Sequence, residues 1–79
     1  MGSELKSTVI KRSVYVSGHT TSVSLEDEFW QALREIADRS NMTVGTLLNQ
    51  IDGDRTTINL SSATRVFVLN YFREQRSRR

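Results

Sequence analysis

Few residues in this 79-residue chain carry chemistry beyond packing. His19 stands among serines and threonines, but a single imidazole beside hydroxyls lacks the oriented acid that a catalytic triad needs. The four glycines are scattered, so no glycine-rich loop cradles a phosphate. With no cysteine there is neither a disulfide framework nor a Cys/His zinc site. Asp52-Gly53-Asp54 supplies two carboxylates without the rest of a calcium loop, and reads as a turn. These absences predict a non-enzyme without catalytic residues, metal or cofactor. What remains is hydrogen-bonding chemistry. Thr20, Ser22 and Ser24 alternate with Thr21, Val23 and Leu25, a row of hydroxyls on one face and a mostly apolar row on the other.

The rest of the composition bounds what those residues can serve. A chain of this length forms one small domain and buries roughly 60–65% of its unfolded surface, so a partner chain is expected to complete its core. Hydrophobic residues make up 37% and charged residues 25%. The longest apolar run, Val66–Leu69, is far short of the ~20 residues of a membrane span. There is no secretory pattern, and Lys6 stands where a myristoylation signal wants Ser or Thr. A soluble cytoplasmic, nucleoid-associated domain is expected, with no membrane partner and no small-molecule ligand. The net charge of +2 hides a division into blocks. Residues 1–25 carry a balance of +2, residues 26–54 a balance of −5, and residues 55–79 a balance of +5. A polyanion is drawn to the two ends and repelled from the middle.

Those patterns imply one strand segment and three helices. Val9–Val16 is rich in β-branched residues, Gly18-His19 offers a turn, and Thr20–Leu25 has the period of two of a half-buried strand. Glu26, Asp27 and Glu28 then favour a helix start through the helix dipole, with Ser24 a candidate cap and Asp27 its capping-box partner. Leu25, Phe29, Leu33, Ile36 and Ala37 recur at helical spacing, and Asn41 suits the left-handed residue past the helix end. Thr43 caps a second helix carrying Val44, Leu47, Leu48 and Ile51, ended by Asp52-Gly53-Asp54. A third helix starts at Leu60-Ser61-Ser62 under a serine cap and runs to about Gln75. Its centre, Val66–Phe72, is apolar almost all round and also fits a strand. Thr20–Leu25 needs a neighbour: either Val9–Val16 folding back, or its own copy in a second chain. The latter puts Val23 and Leu25 in a shared core and frees the hydroxyls. A two-stranded ribbon presenting such a face fits a DNA major groove.

Thr21–Glu26, Phe29, Leu33, Ile36-Ala37, Asn41–Val44 and Leu47-Leu48 together resemble a ribbon-helix-helix domain, the fold of the Arc and methionine repressors. The likeness covers about residues 20–52 and extends in layout to a subfamily with an extra N-terminal stretch and a third helix. It implies a mainly α fold with a short β-ribbon, its strand paired antiparallel across a homodimer. It also implies a DNA-binding transcriptional regulator, a repressor of bacterial type, inserting that ribbon into the major groove of double-stranded DNA. Base contacts fall on Thr20, Ser22 and Ser24. The phosphate grip falls on the second helix start, Thr43, Val44 and Gly45, with Lys11 and Arg12 on phosphates from an N-terminal arm. The dimer core falls on Val23, Leu25, Phe29, Leu33, Ile36, Leu47 and Leu48, and the third helix is a route to higher oligomers. Residues 1–19 form the arm or include a short strand, 20–75 the domain with its third helix, and 76–79 a basic tail. The competing reading is a protein-interaction module, antitoxin-like or an oligomerising scaffold, without a direct role on DNA.

Overall fold

The computed structural model describes residues 8–54 and 59–77. A two-stranded antiparallel hairpin, β1 (Val9–Val16) and β2 (His19–Glu26), precedes three helices, α1 (Asp27–Arg39), α2 (Val44–Asp54) and α3 (Leu60–Ser77). The fold class is the one expected, mainly helical with a short ribbon and an added C-terminal helix.

The ribbon is built within one chain. Ser17 and Gly18 have φ of 54° and 83°, the paired positive values of a tight turn whose twist matches that of the strands it joins. Val16 faces His19, Ser13 faces Ser22, and Val9 faces Glu26. Of the two neighbours the sequence offers β2, the chain itself supplies β1, which a two-residue turn brings back at little entropic cost. Ile10, Arg12, Val14 and Val16 of β1 lie opposite Leu25, Val23, Thr21 and His19 on the inner face. Lys11, Ser13 and Tyr15 lie opposite Ser24, Ser22 and Thr20 on the outer one.

Inside the ribbon sits the core. Val16, Val23 and Leu25 meet Leu33, Ile36 and Ala37 of α1, Leu47, Leu48 and Ile51 of α2, and Leu60, Ala63 and Val68 of α3. The residues expected to fill a core shared by two chains are thus enclosed within one, with Phe29 packed against them partly buried. Thr64 is buried among them, its hydroxyl donating to the Leu60 carbonyl at 2.8 Å. α3 is a helix, not a strand, and Val66 and Leu69 on its outer side remain about half exposed.

Three local expectations change. Ser24 lies inside β2; the residue before α1 is Glu26, extended, with no side-chain cap. Asn59, rather than a serine, caps α3, its Oδ1 accepting from the Ser62 amide at 2.8 Å. α2 continues through Asp52-Gly53-Asp54 because the ribbon turn docks there: Asn49 Oδ1 accepts from the Ser17 amide and Asp52 Oδ2 from the Ser17 hydroxyl, each at 2.7 Å. Asn41, with φ of 58°, occupies the left-handed position after α1. The Met42 amide there donates to Ala37 and the Asn41 amide to Asp38, which satisfies carbonyls the helix end leaves open.

Candidate nucleic-acid interface

The alternation of β2 decides which side chains reach solvent. Thr20 and Ser22 are exposed, Ser24 is half-buried, and Val23 and Leu25 are 0% exposed. β1 adds Lys11, Ser13 and Tyr15 to the same outer face, all exposed. Ser13 and Tyr15 were missed by sequence reasoning. Their signal was the alternation in Val9–Val16, usable only once its pairing with β2 was known.

Lys11 and Arg12 part company, as adjacent strand residues must. Arg12 turns inward. Its guanidinium stands 4.4 Å above the Trp30 ring, and Nη2 reaches Asp27 Oδ1 at 3.3 Å. Nη1 is buried without a hydrogen-bond partner. Arg12 thus braces the ribbon against α1 and does not share a surface with Lys11.

Ser24 is held by α3 through its backbone. Its amide donates to Ser61 Oγ at 2.9 Å, and its carbonyl accepts from Arg65 Nη2 at 3.2 Å. Arg65 Nε also pairs with Glu26 Oε1 at 3.1 Å. Hydrogen bonding from its own backbone amide, and then from Arg65, holds the Glu26 carboxyl below its ordinary range. Sequence reasoning gave Arg65 no role, because its partners lie about forty positions away.

At the start of α2, Thr43 Oγ1 accepts from the Thr46 amide at 3.0 Å, the N-cap bond its position calls for. Val44 and Gly45 supply first-turn amides that no intrahelical carbonyl can satisfy. Thr43 and Val44 border a shallow groove with Gln31, Arg34, Asp38 and Met42. An anion there meets the helix dipole and Arg34 favourably and Asp38 unfavourably. His19 is a turn residue, its Nδ1 donating across 3.2 Å to the Ser17 carbonyl. Among the described residues no cluster of three metal-ligating side chains occurs, and no helix is long and apolar enough to cross a membrane. Arg78 and Arg79 of the expected basic tail lie outside the described residues, while Arg76 is exposed at the end of α3.

A buried-faced ribbon followed by short helices defines a class of small ribbon-and-helix domains. The family model described as a ribbon-helix-helix domain matches residues 9–72, and the chain belongs to that family. Such domains are typical of DNA-binding transcriptional regulators and antitoxins. A solved structure, described as an uncharacterized protein from Bordetella pertussis Tohama I, is similar at 33% identity and a TM-score of 0.76. That likeness covers 94% of this chain and 63% of the other, so this chain spans less than two thirds of its relative's length. No curated protein matches it.

Proposed function

We propose that this protein is a DNA-binding transcriptional regulator that acts as a homodimer and lays the outer face of its ribbon in the major groove. One observation carries the reading. The inner ribbon face is spent on the core, while Lys11, Ser13, Tyr15, Thr20 and Ser22 stand exposed together on the outer face. Two strands about 4.8 Å apart fit a groove about 12 Å wide. Lys11 offers an ammonium to guanine O6 and N7 or to phosphate, and the hydroxyls bond to base or phosphate oxygens. Thr43, Val44 and Gly45 supply the phosphate grip, with Arg34 beside it and Asp38 moderating it.

With about 4–6 phosphate contacts per dimer, log K falls against log salt with a slope of about −4 to −5. Selecting bound fragments from random duplexes and titrating the best one across salt tests this. A flat salt profile, or no binding at low salt, rejects it. A second reading, an interaction module of antitoxin type, is favoured by Val66 and Leu69, 48% and 52% exposed on α3. The outcome that selects it is a protein partner that co-purifies with the chain together with no DNA binding.

A further inference from the structure

Chemistry on the outer ribbon face is uneven. Ser13, Thr20 and Ser22 carry hydroxyls, which donate or accept alike and bond to more than one base edge. Such a row holds DNA without choosing among sequences. Lys11 selects only for the acceptor pair of guanine. Tyr15 differs in kind. It is 67% exposed, the most exposed of the large hydrophobics, and its neighbours on that face are small, Ser13 two positions back and Thr20 directly opposite. Among the described residues no other ring or cation stacks on it.

The ladder sets Thr20 beside the ring. The Ser24 amide and carbonyl both point to α3, so Ser24 and its opposite Lys11 exchange no ladder bonds. By the alternation of an antiparallel ladder, neither do Thr20 and Tyr15. Pairs of that kind stand about 4.5 Å apart at Cα with their side chains close, and the Thr20 methyl enlarges the apolar surface of the ring. Val9, the remaining apolar residue of this face, lies opposite Glu26. There the acids of α1 begin, and a polyanion is repelled.

We infer that Tyr15 sets the base preference of the ribbon, its ring lying against the C5-methyl group of a thymine. The inference rests on the DNA-binding reading and adds which base feature the ribbon selects. In the major groove that methyl is the apolar group a base pair presents, and among the four bases only thymine carries it. A ring standing in water gains by covering a methyl, whereas a hydroxyl does not. Spacing supplies a second feature. Each strand has eight residues and is roughly 25 Å long. That is twice the width of the groove, so the ribbon lies along it. Lys11 and Tyr15 share one face of β1, about 13 Å apart. With base pairs stacked about 3.4 Å apart, a guanine facing Lys11 lies about three or four pairs from the thymine facing Tyr15.

Deoxyuridine differs from thymidine only by the missing methyl. Duplexes that the parent selects from a random pool are remade with each thymine in turn replaced by deoxyuridine. Affinities are compared for the parent, Tyr15→Phe and Tyr15→Ser, with circular dichroism as a check on folding. We expect a thymine, about three or four base pairs from a guanine, at which loss of the methyl weakens the parent about fourfold. Tyr15→Phe is expected to keep that sensitivity. Tyr15→Ser is expected to bind the thymine and deoxyuridine duplexes equally, with the salt slope of the parent, because no phosphate contact is lost. A parent that binds duplex but is indifferent to every replacement overturns the inference. So does a Tyr15→Ser variant as sensitive to the methyl as the parent. Tyr15→Phe binding as weakly as Tyr15→Ser also overturns it, by assigning the role to the phenol hydroxyl. The deoxyuridine series needs only the parent, so it decides even where Tyr15→Ser unfolds. A parent that binds no duplex at low salt sinks the functional reading and this inference together; duplex binding without methyl sensitivity sinks the inference alone.

Discussion

Lys11 and Arg12 show how much one step along a strand decides. Both are cations near the N-terminus, and their charge alone treats them as equivalent. The pleat sends Lys11 to solvent and Arg12 over Trp30. Lys11→Ala removes one cation from each protomer and is expected to weaken DNA binding about tenfold or more and, where Lys11 meets phosphate, to reduce the salt slope by about two. Arg12→Met keeps the stem that packs on Trp30 and removes the orphaned Nη1. Its expected effect is a stability change within about 1 kcal/mol, by urea denaturation, and unchanged DNA affinity. A large loss of affinity in Arg12→Met returns that side chain to the interface. The alternation that separates the two was legible in Val9–Val16. The phase of it was not, because strand phase is set by the partner strand.

At the scale of elements, the turn and the α3 brace hold the ribbon. Gly18 has φ of +83°, and a Cβ there meets nothing within 4 Å, so the cost of Gly18→Ala is backbone strain alone, about 1 kcal/mol. A thermal melt checks it. Glu26 gives a pH signature with a definite sign. Its folded pKa lies below the ordinary 4.5, so the stability it lends is fully present above that value and is lost as pH falls through the folded one. The stability gap between the parent and Glu26→Gln is therefore expected to shrink as pH is lowered from about 6 towards 3; a gap that widens on acidification contradicts the brace. The helices were readable because apolar spacing, Thr43 and Asn41 are local signals. The extension of α2 through Asp52-Gly53-Asp54 was not. Asp52 and Asn49 hold the Ser17 turn, and a helix end stabilised by a distant loop leaves no mark in its own composition.

For the molecule as a whole, Val23, Leu25, Leu33, Ile36, Leu47 and Leu48, expected in a core shared by two chains, are already buried within one. Val23, at 0% exposure, tests this. Val23→Asp buries a carboxylate with no partner and is expected to cost more than about 3 kcal/mol, unfolding the chain rather than merely separating a dimer. A folded Val23→Asp monomer by circular dichroism contradicts the enclosed core. The acidic middle and basic ends were plain in the sequence, whereas the closure of the core was not, because it depends on β1 and α3 flanking the region that carries the family resemblance. The α3 brace across Ser24 has one more consequence. A protein whose sheet is open on both sides can recruit neighbours without limit, which is how strand-rich proteins grow into fibrils. With Ser61 and Arg65 holding the Ser24 amide and carbonyl, that part of the β2 edge is closed to such growth.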